Sequence, residues 1–207
     1  MRNCFYSLLP LFILLSSIVS AQKIYLQCGR LVEVNSLQVK ERMTVVIEGN
    51  KIIAVKSGYE KGEGADKIID LTRFTVMPGL MDMHVHIEGE TKRGNVADRF
   101  TQNPEEIAFE AQKIANTSLM AGFTTVRDLG GSGVNIALRN AINKGLVVGP
   151  RIFTCGKIIS TTGGHGDPTN GYRRDLIGDP GPKEGVINGV EDARKAVRQR
   201  YKEGADL

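Results

Sequence analysis

Two histidines with one residue between them, His84 and His86, have the side-chain type and spacing for metal chemistry. They are two of the three histidines in the chain and stand near the end of the stretch TVMPGLMDMHVHIEG. In a β-strand, residues i and i+2 point to one face roughly 6.7 Å apart, so two imidazoles can converge on a single ion. Asp82 shares that face and can accept an imidazole N–H, which would orient a ligand.

Two other interpretations of the pair are open. Two histidines can fill the end of a strand without binding anything, and the same spacing occurs in small metal-binding β-barrels of the cupin type. Cupin barrels are antiparallel throughout, and the helical segments that follow the pair argue against them. The secondary structure around the pair is therefore needed to distinguish a metal site from a strand end that binds nothing.

The pattern of the chain changes at Pro78. Residues 23–77 are rich in β-branched residues, and the turn Glu48–Lys51 predicts a hairpin between two strands. After Pro78, predicted strands alternate with predicted helices. The strands are GLMDMHVH, FTTVRDL and RIFTCGKII, and the helices lie between Asn103 and Gly122, Val134 and Lys144, and Val190 and Gly204.

This alternation predicts an α/β fold with parallel βαβ units. A doubly wound sheet and a barrel fit the alternation equally well. The histidines decide between them, because they end the first strand of the series and barrel enzymes build active sites at the carboxyl ends of strands. We therefore expect a small β-sandwich unit over residues 22–79, then the first half of a (β/α)8 TIM-like barrel over residues 80–207, truncated before strand four.

The motif VMPGLMDMHVH resembles the first barrel strand of the amidohydrolase superfamily, whose signature is Pro-Gly-hydrophobic-x-Asp-x-His-x-His. The stretches TTVRDLGG, STTGGHGD and YKEGADL resemble the branch that contains imidazolonepropionase-like enzymes and exported dipeptidases. The pattern CGRLVEV…VVIEGNKIIAV is similar to the β-sandwich half that precedes the barrel in that family. The resemblance covers essentially the whole chain after Ala21.

The resemblance implies one or two divalent metals, usually zinc, with His84 and His86 as the first ligands. The family's other ligands come from later strands: a carboxylated lysine on the fourth, histidines on the fifth and sixth, and an aspartate on the eighth. In the family, a metal-activated water attacks an amide-like carbon and the aspartate transfers the proton. We expect the lysine just beyond Leu207, so the 207-residue chain should hold an incomplete site and be inactive alone.

Other polar residues lie at the ends of the predicted strands. His165 occupies a glycine-rich loop after the third strand, where the resemblance implies substrate binding and the alternative is a surface histidine. Asp128 ends the second strand and either orients active-site groups or ties down a turn. Glu88 and Glu90 are expected in a solvated loop. The last helix is predicted to carry an apolar stripe of Ala193, Ala196, Val197 and Tyr201.

The function we expect is hydrolysis of a C–N bond in a small amide, dipeptide or cyclic amide. The alternative is an exported metal-binding, ligand-binding or interaction protein that uses the same scaffold without turnover. Removing residues 1–21 takes away one base, Arg2, and no acid, so the formal net charge falls from +4 to +3. That charge is too small to indicate nucleic acid or an anionic membrane surface as a partner. A homo-oligomer of the full-length protein is compatible with the sequence.

The first 21 residues have the pattern of a secretory signal peptide. Arg2 gives a positive start, an apolar run extends from Leu8 to Val19, and small residues precede position 22. The run is shorter than the roughly 20 residues that span a bilayer. We therefore predict cleavage after Ala21, export to the periplasm or medium, and no stable membrane anchor. The two remaining cysteines, Cys28 and Cys155, are expected to be buried free thiols.

The cleavage prediction can be tested on the exported protein. N-terminal sequencing should find Gln22 as the first residue. Ala21→Leu should leave the precursor uncut, because signal peptidase requires a small residue there, whereas Ser20→Leu should be processed normally. A mature N-terminus elsewhere, or normal processing of Ala21→Leu, would contradict the assignment.

Overall fold

The computed structural model of the protein describes residues 22–64, 66–89 and 101–207, so the predicted signal peptide and Glu90 lie outside the described ranges. The chain divides into two compact units between Pro78 and Gly79. Within the described ranges, no helix has both the length and the apolar character needed to cross a membrane.

The described residues of the first unit form a four-stranded mixed sheet. Its strands are β1 (Lys23–Glu33), β2 (Gln38–Glu48), β3 (Lys51–Ser57) and β4 (Lys67–Val76). The order is β3-β2-β1-β4, with β1 antiparallel to β2 and parallel to β4. The hairpin prediction is confirmed, because Glu48 pairs with Lys51 and Gly49 takes a φ of +59°. The described strands form one sheet, so the second layer of a sandwich stays a prediction.

The described part of the second unit begins with three parallel strands and two helices. They are β5 (Leu80–Val85), α1 (Pro104–Met120), β6 (Phe123–Asp128), α2 (Val134–Asn143) and β7 (Arg151–Thr154). The strands lie side by side in chain order, β5-β6-β7. Both helices contribute to one core on one face of this sheet, formed by Ile87, Ala111, Ala115, Val126, Leu138 and Ile152. Helices on one face of sequentially ordered strands indicate a barrel segment rather than a doubly wound sheet.

The third predicted strand is shorter than expected. β7 ends at Thr154, because Gly156 adopts a φ of +69° that is incompatible with an extended strand. The chain then forms β8 (Ser160–Thr161), α3 (Arg174–Ile177), β9 (Val186–Ile187) and α4 (Val190–Glu203), with β8 parallel to β9. Cys155 and Cys28 are free thiols as predicted, but full burial holds for Cys28 alone of the two.

The predicted apolar stripe of α4 is wrong in part. Ala196 is buried, but Val197 is 60% exposed and Tyr201 is 84% exposed. The inward position is taken by Arg200, which is 4% exposed and donates to the Lys183 carbonyl at 2.8 Å. An arginine can bury its aliphatic stem while its guanidinium satisfies a loop carbonyl, and hydrophobic periodicity does not detect this.

The chain returns to the edge of β7 at its last described residues. The Asp206 N–H donates to the Thr154 carbonyl at 2.8 Å, and the Thr154 N–H donates to the Asp206 carboxylate at 3.0 Å. Arg139 of α2 pairs with the same carboxylate. These bonds place Asp206 beside Thr154 at the edge of the sheet.

The sheet face opposite α1 and α2 carries exposed apolar side chains. Met81 is 67% exposed, Met83 54% and Phe153 45%, and the three line one shallow surface. We expect the 207-residue chain expressed alone to be poorly soluble, because such a surface favours association.

Size-exclusion chromatography with light scattering measures this association. Replacing Met81 and Phe153 together with threonine should increase the monomeric fraction. Changing Met120, which is 78% exposed at the end of α1, should have no such effect. A monomeric wild-type chain that melts cooperatively would contradict the prediction.

Candidate functional site

The strand that carries the histidine pair is fixed by a close approach to β6. A Cβ built on Gly79 would lie 2.1 Å from the Thr124 hydroxyl oxygen, so glycine alone fits where β5 begins. The Leu80 N–H donates to the Gly122 carbonyl at 2.9 Å, which aligns β5 with the end of the α1–β6 turn. The glycine of the Pro-Gly step in the motif is therefore required by its close packing against Thr124.

His84 and His86 lie together at the carboxyl end of β5, as the strand spacing predicts. Their ring centroids are 5.5 Å apart and the rings are inclined by 67°. His86 Nδ1 lies 2.9 Å from the Gly130 carbonyl oxygen. A carbonyl can only accept, so this bond assigns the proton to Nδ1 and leaves the Nε2 lone pair for another ligand.

The expected role of Asp82 is wrong. Its Oδ1 accepts the backbone N–H of His84 at 3.0 Å, two residues along the chain, rather than an imidazole N–H. A short aspartate side chain commonly accepts the backbone N–H two residues further along the chain. This local hydrogen bond competes with contacts to other side chains. The group that orients His86 is instead a main-chain carbonyl on the neighbouring loop.

Asp128 is fully buried where β6 ends. Its Oδ1 accepts the Gly130 N–H at 3.0 Å, and its Oδ2 accepts the Ile87 N–H at a longer 3.4 Å. Burial raises the pKa of the Asp128 carboxyl, while the Gly130 and Ile87 N–H groups act in the opposite direction. Both of its oxygens face N–H donors, the arrangement that suits an ionised carboxylate. Asp128 thus ties down its turn and also contacts the residue that follows His86.

Glu88 is not the solvated side chain that we expected. Its two carboxylate oxygens accept the Ser132 N–H at 2.5 Å and the Asn135 N–H at 2.6 Å, at the N-terminus of α2. A carboxylate there satisfies unpaired helix amides and complements the helix dipole. A Cβ on Gly131 would lie 2.5 Å from the Glu88 carboxyl carbon, so the loop closes tightly over it.

One sequence signal could have revealed this role of Glu88. The first turn of α2, which the structure describes in full, contains no acidic residue, and Gly133 supplies no capping side chain. A helix start with a glycine N-cap and no acid in its first turn favours an acceptor from elsewhere in the fold. Glu88 is one of two acids that closely follow the histidine pair.

His165 lies in the same cleft as His86. This cleft holds about 690 Å³ and its walls include Glu88, Gly130 and Ile158. Its volume falls in the range of about 300–1,000 Å³ that is typical of small-molecule sites. His84 lies beside His86 but does not line this cleft.

Asp167 orders the loop that carries His165. Its carboxylate accepts the Thr169 hydroxyl at 2.6 Å and the Gly163 N–H at 2.8 Å. These two bonds hold the pKa of the Asp167 carboxyl below its ordinary value. The loop is therefore fixed around the glycines that flank His165.

The described residues do not by themselves form a complete metal site. Residues 22–64, 66–89 and 101–207 contain no group of three or more His, Cys, Asp or Glu side chains arranged to hold a metal ion. Zinc takes three or four protein ligands, and imidazole nitrogen is among those that it prefers. The chemistry of His84 and His86, with Nε2 of His86 left unprotonated, fits two of those ligands.

The fold and the histidine pair define an α/β protein of the barrel type with polar side chains at the carboxyl ends of its strands. A profile of the Amidohydrolase family matches residues 75–207. The chain belongs to the Amidohydrolase family.

Individual relatives agree with this assignment. An ochratoxinase from Aspergillus niger is 32% identical over 144 residues, which are 64% of this chain and 30% of the relative. The crystal structure of a Xaa-Pro dipeptidase with bound methionine in its active site is 45% identical, with a TM-score of 0.83 over 89% of this chain and 46% of that one. A prolidase complexed with N-methylphosphonate-L-proline is 34% identical, with a TM-score of 0.75 over 89% and 45%.

These likenesses confirm the α/β barrel-type fold. They also show that the chain spans less than half the length of the relatives that it matches.

The contact between Glu88 and α2 generates a stability prediction. In the complete protein, Glu88→Ala should lower the free energy of unfolding by about 1–2 kcal/mol, because the Asn135 amide in α2 and the Ser132 amide just before it lose their acceptor and the helix dipole loses its anion. Urea denaturation measures this difference.

Glu110→Ala is a matched control, because Glu110 is exposed on α1 in the same unit. That substitution should stay within about 0.5 kcal/mol of wild type. Equal effects of the two substitutions would exclude the capping role.

Proposed function

We propose that the complete protein is an exported, metal-dependent hydrolase that cleaves a C–N bond in a small peptide-like substrate. The observation that carries this proposal is the bond between His86 Nδ1 and the Gly130 carbonyl, which prepares Nε2 of a paired histidine for a ligand. It occurs at a strand end that faces a cleft, in a member of the Amidohydrolase family. A scaffold that only binds partners has no need of this arrangement.

His84 and His86 would hold one side of the metal, for which zinc suits the imidazole donors. The further ligands would come from residues other than those described. A bound divalent ion supplies Lewis acidity, which polarises the scissile carbonyl and activates water. The Gly130 carbonyl keeps the His86 ring from turning, so the metal-facing nitrogen is ready before a ligand arrives.

His165 would bind the substrate beside the metal. It shares the cleft with His86, and the apolar side chains of Ile107 and Ile158 line the same cleft. An imidazole there can donate to a substrate carbonyl or accept from a substrate N–H. Because Asp167 fixes the loop, this contact would orient the scissile bond without a large rearrangement.

The named relatives support dipeptides as the substrate class. The Xaa-Pro dipeptidase and the prolidase with a proline-containing phosphonate are 45% and 34% identical to this chain. Among dipeptides, N-acyl amino acids and cyclic amides, dipeptides with a C-terminal proline are therefore the first substrates to test.

Substitution of the histidines tests the proposal in the complete protein. His84→Ala and His86→Ala should each remove bound zinc, measured by elemental analysis. Each should also reduce hydrolysis of Met-Pro by more than about 100-fold, because the loss should exceed that of an outer-shell partner. His165→Ala is the contrasting variant, and it should keep its zinc while KM increases.

The outcomes separate the possible functions. Unchanged metal content and activity in both variants would refute the metal assignment. Histidine-dependent metal binding without turnover of any dipeptide, N-acyl amino acid or cyclic amide would instead identify a binding protein on the same scaffold.

A further inference from the structure

A chain of hydrogen bonds connects the buried Asp128 to the His86 ring. Asp128 Oδ1 accepts the Gly130 N–H at 3.0 Å, and the Gly130 carbonyl accepts the proton on His86 Nδ1 at 2.9 Å. On the other side, Asp128 Oδ2 accepts the N–H of Ile87, the residue after His86, at 3.4 Å. The carboxylate therefore contacts both the backbone that carries the ring and the peptide that the ring meets.

The two bonds require a carboxylate rather than another small polar side chain. An ionised aspartate offers two acceptor oxygens, whereas asparagine offers one oxygen and an NH₂ donor. Whichever way asparagine is turned, its NH₂ group faces either the Gly130 or the Ile87 N–H, and two donors cannot bond each other. Asp128 is 0% exposed, so water cannot replace the lost acceptor without a rearrangement of the loop.

The surroundings of Asp128 leave little freedom for Gly130. A Cβ on Gly130 would lie 3.5 Å from Cε1 of His86, which shows how closely this backbone passes the ring. The Gly131 N–H donates to the Gly156 carbonyl at 2.9 Å, and Asn135 Nδ2 donates to that same carbonyl at 3.0 Å. The loop is thus held from the β7 side as well, and Asp128 sets the direction of the Gly130 peptide.

We propose that Asp128 is a positioning residue for His86, acting through the Gly130 peptide to hold the imidazole in its Nδ1–H tautomer with Nε2 free. The inference rests on the proposed function, because the tautomer of His86 affects activity only if His86 binds a metal ion. The tautomer itself is a property of the metal-free protein and can be measured without turnover. A neutral imidazole can carry its proton on either nitrogen, and the bond made by one nitrogen selects the tautomer.

Nitrogen-15 NMR of the metal-free, complete protein tests the proposal. Histidine is labelled selectively, spectra are recorded at a pH of about 8.5 where an ordinary imidazole is neutral, and His86 is assigned by the loss of its signals in His86→Gln. Wild type should show Nδ1 protonated and Nε2 unprotonated. Asp128→Asn should introduce the Nε2–H tautomer and raise the dissociation constant for zinc by about 10–100-fold.

A stability control separates positioning from general damage. Ile152→Val removes one methylene from the hydrophobic core of the second unit, where Ile152 is 3% exposed. It should lower the melting temperature while the His86 tautomer and the zinc dissociation constant stay at their wild-type values. Equal weakening of zinc binding by both variants would overturn the proposal.

The remaining outcomes also decide the question. An Nε2–H tautomer in wild type would overturn the inference even if Asp128→Asn failed to fold. Retention of the Nδ1–H tautomer in a folded Asp128→Asn protein would overturn it as well. A wild type that binds no zinc, yet loses the Nδ1–H tautomer on substitution of Asp128, would refute the proposed function and support the positioning role.

Discussion

The second unit depends on reciprocal hydrogen bonds between two neighbouring loops, in which a carboxylate from each loop accepts backbone N–H groups of the other. Where β5 and β6 end, backbone N–H groups lose their strand partners and must find other acceptors. Glu88, on the loop after β5, accepts two N–H groups at the start of α2. Asp128, at the end of β6, accepts the N–H groups of Ile87 and Gly130. Each loop thus provides the acceptor that the other lacks, and the histidine pair lies between them.

These reciprocal hydrogen bonds explain how exposed histidines can be held in a defined orientation. His84 and His86 both lie at the surface of the described unit, where little packing restrains a side chain. The Gly130 carbonyl fixes one ring by a single bond, and the buried carboxylate fixes Gly130. A site built in this way places its rigid part in the core and its reactive part in the cleft.

The elements behind the site follow from local sequence rules to different degrees. α1 and α2 match their predicted spans closely because glycines end them and apolar residues recur at helical spacing. β7 ended earlier than predicted because Gly156 takes a positive φ within an apolar run. The two-residue strands β8 and β9 lie within a glycine- and proline-rich loop, and each forms only because the other lies beside it. Pairing between such distant short segments has no periodic signal.

The sequence by itself determined the histidine pair, its place at a strand end, the βαβ order and the resemblance to amidohydrolases, because these depend on residue type and spacing along the chain. Tertiary structure decided the partners. Asp82 accepts the backbone N–H of His84, Glu88 caps α2 from 47 residues away, and the Gly130 carbonyl selects the tautomer of His86. The contacts of Glu88 and Gly130 join segments distant in sequence, and the direction of a peptide carbonyl is set by the folded backbone rather than by any side chain.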